Sequence, residues 1–150
     1  MAVVTETRPE LDEAIADVEQ QLGQMFGRVR ATWREAAAQI HPDLQPVGYK
    51  LLGAIVRSGG TNAHVLAETL EVDKSIVSRK VKLLEEVGLV TSHADANDRR
   101  ARVLTPTPLA IERLRTVRAA QHERLRERLG VRSADEIREF ASMLRLLGEG

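Results

Sequence analysis

The chain has 150 residues, of which 43% are hydrophobic and 3% aromatic, which suits one domain with an aliphatic, helix-rich core. It contains no cysteine, which excludes disulfides, thiol redox chemistry and cysteine-ligated metals. The 22 basic and 22 acidic residues give a formal net charge of zero, so any attraction to a polyanion must arise from the distribution of charge.

The sequence offers no segment for a membrane. No apolar run approaches the roughly 20 residues needed to cross a bilayer, and residues 1–9 lack the charged-then-apolar order of a signal peptide. We therefore expect a cytoplasmic protein without a membrane partner.

The chain begins with a predicted flexible N-terminus over residues 1–9, followed by a long helix over residues 10–42. Apolar residues recur at helical spacing from Leu11 to Ile40. A stripe of that length is more than so small a domain can bury alone, so we expect it to pack against a second copy of the chain.

A compact lobe is predicted over residues 45–106. Its first helix runs from about Pro46 to a stop at Gly59. A short helix capped by Asn62 follows, then a turn that ends at Asp73, which we expect to be the N-cap of the next helix. This order of parts, completed by a turn at Gly88 and an arginine-rich hairpin, is typical of a winged helix-turn-helix that binds DNA.

The helix after Asp73 presents small hydroxyls and cations away from its apolar stripe. Three residues on the outer face of its first two turns are predicted to touch base edges, and three lysines are predicted to hold phosphates. The first set is Ser75, Ser78 and Arg79, and the second is Lys74, Lys80 and Lys82.

The hairpin adds four candidates. Arg99 and Arg102 are predicted to contact the DNA backbone, and Asp98 and Arg100 are predicted to lie on one side of a strand-like tip. The charge of the chain is polarised in the same direction. Residues 74–102 carry seven cations against four acids, a balance of +3, whereas residues 1–40 carry four cations against seven acids, a balance of −3. A basic patch of this kind steers DNA even on a neutral molecule.

Residues 107–150 predict two C-terminal helices. The first opens at Pro108 and closes at Gly130, and the second is capped by Ser133, with Glu136 completing a capping box. Together with the N-terminal helix they are predicted to form a homodimer. Two recognition helices about 34 Å apart would then read an inverted repeat in double-stranded DNA, with half-sites about 10 base pairs apart.

The run from Leu66 to Arg79, with segments 83–90 and 95–101, resembles the MarR family of winged helix-turn-helix regulators in residues and spacing. The strong resemblance covers about a third of the chain, and the flanking helices agree with the family in length and order. The chain departs from the family just after the wing, where residues 106–110 replace the usual Leu-Thr-Pro-x-Gly pattern. Because Pro106 cannot donate to a strand ladder, the return strand is predicted to stop near Thr105.

The resemblance implies a mainly α fold with a small β-hairpin wing and long N- and C-terminal dimerisation helices. It also implies that Asp98 and Arg100 hold the wing together while the arginine reaches into the minor groove. Many relatives release DNA when an aromatic acid, phenolic or lipophilic compound enters the cleft between the dimer helices and the DNA-binding lobe. The candidate effector residues here are Arg30, Trp33, Arg34, His41 and Tyr49. Trp33 continues the apolar stripe of the first helix, which favours core or dimer packing over a ligand contact, whereas Tyr49 suits a buried ring and a ligand contact equally well.

The sequence thus predicts a sequence-specific transcriptional regulator, a repressor released by a small aromatic or lipophilic effector. The alternatives are a ligand-independent or architectural DNA-binding protein, and a protein-binding winged helix, which the arginine-rich wing disfavours. The four histidines are scattered, and no phosphate loop, nucleophile elbow or dinucleotide fingerprint is present. We therefore expect no enzyme activity, no cofactor and no metal site.

Overall fold

A computed structural model of the chain describes residues 6–149. Within that range the chain forms mainly helices with one short hairpin, which confirms the predicted fold class. The elements are α1 (Arg8–Ile40), α2 (Pro46–Ser58), α3 (Ala63–Leu70), α4 (Lys74–Glu86), β1 (Val90–Ala94), β2 (Arg102–Pro106), α5 (Pro108–Leu129) and α6 (Ala134–Gly148). Of the predicted flexible segment 1–9, residues 1–5 lie outside the described part, and the first helix begins two residues before the predicted start.

The start of α1 is fixed by a local capping box. The backbone N–H and the hydroxyl of Thr7 donate to Oε2 of Glu10 at 2.8 and 2.7 Å. These bonds, the side-chain bond foremost, lower the pKa of the Glu10 carboxyl, because both favour its charged form. The carboxylate also lies in the first turn, where the helix dipole favours negative charge.

Other predicted helix boundaries are confirmed. Helix α2 ends before Gly59, whose φ of 72° lies in the left-handed region that favours glycine, and α5 ends before Gly130. The hydroxyl of Ser133 accepts from the N–H of Glu136 at 3.2 Å and caps α6 as expected. The second bond of the predicted capping box, from the backbone N–H of Ser133 to the Glu136 carboxylate, is replaced by an ion pair. The Glu136 carboxylate lies 3.6 Å from the guanidinium of Arg132.

The core lies between the C-terminal end of α1, helices α2 to α4, the hairpin and the first half of α5. It is aliphatic throughout, as the composition predicted. The largest fully buried side chains are Ile40, Leu51, Leu52, Ile55, Leu66, Leu84, Leu89, Leu114 and Val77. This packing joins the last turns of α1 and residues 43–117 into a compact lobe, to which the rest of α1, the rest of α5 and α6 are attached.

The remaining helices leave apolar faces uncovered. In α1 the side chains of Leu11, Ile15, Val18 and Phe26 are exposed, although they follow the predicted stripe. Every side chain of α6 is exposed or half-buried, and Leu146 is 71% exposed. Exposed apolar surface of this kind is typical of a site for protein–protein interaction.

The hairpin is antiparallel, and its register runs from Val90 opposite Pro106 to Ala94 opposite Arg102. Strand β2 ends at Pro106, one residue beyond the predicted stop near Thr105. The physical reason is the alternation of the ladder: Thr107 donates to Leu89 at 3.1 Å, so the neighbouring Pro106 falls at a pair that exchanges no hydrogen bonds with β1. A proline at that position removes no donor from the ladder.

Candidate nucleic-acid interface

Helix α3 and the turn after it are shaped by local hydrogen bonds. The Asn62 side chain accepts from the N–H of Val65 at 2.9 Å, which confirms the predicted cap. The helix ends at Glu71, whose φ of 52° is left-handed, and the N–H of Val72 returns to the carbonyl of Ala67 at 3.1 Å. This tight turn sets α4 across the end of α3, the arrangement of a helix-turn-helix.

Helix α4 presents two different faces. Val77, Val81 and Leu84 are buried in the core, as the apolar spacing predicted. Asp73 occupies the N-cap position, but within the described residues its carboxylate does not bond to the first amides of the helix, so the cap is positional only. The exposed residues of α4 are Lys74, Ser75, Ser78, Arg79 and Lys82, with Glu85 and Glu86 at its C-terminal end.

Two α4 side chains are already engaged within the protein. The Ser78 hydroxyl donates to the carbonyl of Lys74 at 2.9 Å, which leaves its oxygen able only to accept from a ligand. Nζ of Lys80 donates to Oε1 of Gln45 at 2.7 Å, and the side chain is half-buried. Lys80 therefore lies towards α2, apart from the other cations of the helix.

The wing is braced by side chains across its two strands. Nε of Arg102 donates to the Ser92 hydroxyl at 2.8 Å, and a second guanidinium nitrogen donates to the Ser92 carbonyl at 2.9 Å. The hydroxyls of Thr91 and Thr105 share a hydrogen bond of 2.9 Å one step along the ladder. On the edge of β2 that does not face β1, Leu104 forms a β-bridge with Thr61. This bridge attaches the wing to the loop before α3. The wing is thus held against the lobe.

The tip of the wing is a hydrogen-bonded turn. Oδ1 of Asp98 accepts from the backbone N–H of Arg100 at 3.0 Å, and the Asp98 carbonyl accepts from Ala101 at 3.1 Å. The expected strand-like tip is wrong, because the paired strands end at Ala94 and resume at Arg102. Asp98 therefore shapes the tip through the backbone of Arg100.

A concave groove, here called the saddle, lies between α4 and the wing. Its lining includes cations from both elements and a single carboxylate, that of Glu85. The lining residues are Asn62, Ala63, His64, Lys74, Ser78, Val81, Lys82, Glu85, Ser92, Arg100, Ala101, Arg102 and Leu104. A groove with this charge balance suits an anionic backbone.

The structure distributes the ten predicted DNA-binding residues over four places. Five of the ten line the saddle, and these are Lys74, Ser78, Lys82, Arg100 and Arg102. Ser75 and Arg79 are exposed on α4, and Asp98 and Arg99 are exposed at the wing tip. Lys80 lies apart from these three groups, where it bonds to Gln45.

Sequence reasoning missed three polar residues of the saddle: Asn62, recognised only as a cap, His64 and Ser92. Nε2 of His64 lies 3.1 Å from Oε1 of Glu68, one turn along α3. The position of His64 in the sequence could have indicated this role. His64 lies in the first turn of the first helix of the helix-turn-helix, and that helix crosses the DNA backbone.

The predicted effector residues are only partly brought together. Arg30, Trp33 and Arg34 line one surface depression with Pro46, and Nζ of Lys50 lies 4.4 Å from the centroid of the Trp33 ring. Two candidates lie elsewhere. Nδ1 of His41 accepts from the N–H of Asp43 at 3.1 Å in the turn after α1, and Tyr49 packs against the core. The depression is therefore cationic and aromatic, with Lys50 an addition that the sequence did not suggest.

Residues 6–149 contain no group of three or more His, Cys, Asp or Glu side chains arranged to hold a metal ion. The helices in the same range are all too short or too polar to span a membrane.

The geometry can be compared with known proteins. Residues 43–101 match the model of the MarR family. The YusO protein of Bacillus subtilis is 19% identical with a TM-score of 0.72, and the match covers 97% of this chain and 99% of that chain. A MarR family transcription regulator is 14% identical with a TM-score of 0.83, and the match covers 93% of this chain and 91% of that chain.

A third solved structure is a mutant MarR from E. coli in complex with operator DNA. It is 20% identical to this chain with a TM-score of 0.62, and the match covers 85% of this chain and 93% of that chain. At these identities the three structures establish a shared fold over nearly the whole chain.

Proposed function

With a MarR-family winged helix-turn-helix region at residues 43–101, the chain belongs to that family, and on this premise we propose that it is a sequence-specific DNA-binding transcriptional repressor. The observation that carries the proposal is the saddle. Cations from α4 and from the wing face one another across a groove whose lining contains one acid. Phosphate contacts supply most of the sequence-independent affinity of a DNA-binding protein, and this arrangement supplies them from two sides.

The two elements beside the saddle take different roles in the proposed complex. Helix α4 enters the major groove, with Ser75 and Arg79 on its exposed outer face for base edges. The wing lies over the adjoining minor groove, where Arg100 extends from a tip that Asp98 shapes. Lys74 and Lys82 hold the phosphates between the two grooves.

We further propose that the protein acts as a two-fold homodimer. The exposed apolar faces of α1 and α6, represented by Ile15, Phe26 and Leu147, are the surfaces that the second copy would cover. A two-fold dimer places two α4 helices on one side of the duplex. The operator is then an inverted repeat with half-sites about one helical turn apart.

Effector control is proposed at the depression beside Trp33. Arg30 and Arg34 line the depression with Trp33, and Nζ of Lys50 lies over the ring, so the positive charge suits an aromatic effector that carries an anionic group. Such a ligand releases DNA only if it binds better to a spacing of the two recognition helices that does not fit the operator. A change in operator affinity with an aromatic carboxylate, absent in Trp33→Ala, is the expected result.

The experiment that tests the DNA-binding proposal is selection of bound duplexes from a random pool at about physiological salt. Specific binding typically exceeds non-specific binding by about 10³ or more under such conditions. We expect enrichment of an inverted repeat. A pool that stays unenriched, with binding that falls uniformly as salt rises, would instead favour a sequence-tolerant architectural protein.

A further inference from the structure

Resting on the DNA-binding function proposed above, we propose that His64 is a proton-dependent phosphate contact, so that DNA binding strengthens as the pH falls through the range in which histidine gains its proton. His64 lies in the lining of the saddle, opposite the wing residues Arg100 and Arg102. Its side chain is 67% exposed, so a ligand in the saddle can reach it.

The geometry of winged-helix binding brings phosphates to this position. With α4 in the major groove and the wing at the adjoining minor groove, the sugar-phosphate strand that separates the two grooves crosses the saddle. His64 is on α3, at the end of the saddle where that helix meets α4 and the wing. A neutral imidazole gives a phosphate one hydrogen-bond donor, whereas an imidazolium gives two donors and a positive charge.

The charged groups that face His64 come from three elements. Its own helix supplies Glu68, 3.1 Å from Nε2. Helix α4 supplies Lys74, Lys82 and Glu85, and the wing supplies Arg100 and Arg102. Groups of these other types ordinarily keep their charge between about pH 5 and 8, the interval in which a histidine changes its own. The proposed proton-dependent contact is therefore assigned to His64, the histidine in the lining of the saddle.

The direction of the effect follows from linkage. A phosphate beside the imidazole favours the protonated form, so the complex binds a proton more readily than the free protein does, and lower pH favours the complex. Glu68 offers the imidazolium a partner in the free protein, but at this exposed pair the attraction is weak. In the complex a DNA phosphate replaces Glu68 as the partner of the imidazolium, because the charge density of DNA is high.

The expected change in DNA affinity is that of one additional phosphate contact. We expect the affinity for DNA to rise about fivefold to tenfold between about pH 8 and pH 6. The slope of log affinity against log salt should also steepen by about 0.9 at the lower pH, since one more phosphate is neutralised. A purely structural role for His64 would leave that slope unchanged.

The chain offers a matched control in His93, the other histidine near the interface. His93 is exposed on β1 directly after Ser92, which lines the saddle. Because successive strand residues point to opposite faces, His93 lies on the side of the wing away from the saddle. The two histidines therefore share exposure and differ in the face they occupy.

The test uses the full-length protein and the duplex enriched by selection. Affinity is measured at about pH 6 and about pH 8 over a range of salt for the parent, His64→Gln, His64→Lys and His93→Gln. We expect His64→Gln to bind at both pH values as the parent binds at the higher one. His64→Lys should bind at both as the parent binds at the lower one, and His93→Gln should behave as the parent.

Three outcomes would overturn the inference alone: a parent that binds the duplex equally at both pH values, a pH effect that persists in His64→Gln, or one that disappears in His93→Gln. A parent that binds no duplex at either pH would contradict the proposed DNA-binding function as well. His64→Lys keeps a positive charge at both pH values, whereas His64→Gln has none. Comparing the two variants therefore distinguishes the loss of the positive charge from the loss of the histidine side chain.

Discussion

A guanidinium nitrogen of Arg113 donates to the carbonyl oxygen of Ile40 at 2.8 Å, which joins α5 to the last turn of α1. Ile40 is buried, and its carbonyl is one of those left without an intrahelical partner where α1 ends. A cation at this position also complements the negative end of the helix dipole. The bond therefore fastens the long N-terminal helix to the DNA-binding lobe.

Removing this bond should lower the free energy of unfolding. We expect Arg113→Ala to destabilise the protein by about 1.5–3 kcal/mol, since a partly buried carbonyl loses a charged donor. Arg115→Ala is the control, because Arg115 is exposed on the next part of α5. Urea unfolding at a fixed protomer concentration measures both, and equal stability of the two variants would contradict the role of the bond.

Arg79 and Lys82 should contribute differently to DNA binding. Arg79→Ala is expected to lose about 1–3 kcal/mol on the selected site and to relax sequence preference, because it removes a base contact. Lys82→Ala should weaken all duplexes alike and reduce the salt slope by about 0.9, because it removes a phosphate contact. Titrations of specific and scrambled duplexes at several salt concentrations distinguish the two effects.

Lys80 provides the control for that comparison, since its Nζ is bonded to Gln45. We expect Lys80→Ala to leave the salt slope as in the parent. A slope change equal to that of Lys82→Ala would return Lys80 to the set of phosphate contacts that the sequence predicted.

The Arg102–Ser92 pair should govern the position of the wing. Arg102→Ala removes the Nε bond to the hydroxyl and the bond to the carbonyl, whereas Ser92→Ala removes only the former. Each lost bond should destabilise the wing by about 0.5–1.5 kcal/mol. Amide hydrogen exchange of the hairpin should therefore rise in both variants and more in Arg102→Ala, and equal protection in the parent and both variants would be inconsistent with the brace.

The apolar face of α6 should hold the homodimer together. A charge placed there, as in Leu147→Asp, is expected to shift the protein towards monomer, because the buried interface would contain an unpaired carboxylate. Val65→Asp is the matched control, since Val65 is also apolar and 44% exposed but lies on α3 in the other part of the molecule. Sedimentation at several concentrations reads out the result, and a Leu147→Asp dimer as strong as the parent would place the interface elsewhere.

Local sequence signals were sufficient for most of the fold. Asn62 before an apolar run, Gly59 after one and Ser133 before α6 each mark a helix end that short-range hydrogen bonds or a left-handed backbone enforce. The buried stripe of α4 followed from spacing alone. Such features depend on neighbours within four residues, so the sequence contains them directly.

The contacts that the sequence did not predict are of a different kind. The bond from Lys80 to Gln45 joins residues 35 positions apart, and the assembly of the saddle from α3, α4 and the wing depends on tertiary packing. The separation of His41 and Tyr49 from Trp33 has the same origin. Residue type and spacing along one helix do not determine which side chains meet across elements, so these relationships required the structure.

The measurement that most directly tests the proposed regulator is the affinity of the full-length protein for the enriched inverted repeat and for the same repeat with about half a helical turn inserted between its half-sites. Both duplexes contain the same two half-sites, so the local phosphate attraction at each half-site is nearly equal, and the spacing and relative orientation of the half-sites change. We predict a loss of about 10³ in affinity for the altered spacing, down to the level of non-specific binding. Equal affinity for the two duplexes would contradict a dimer that reads an operator through paired recognition helices.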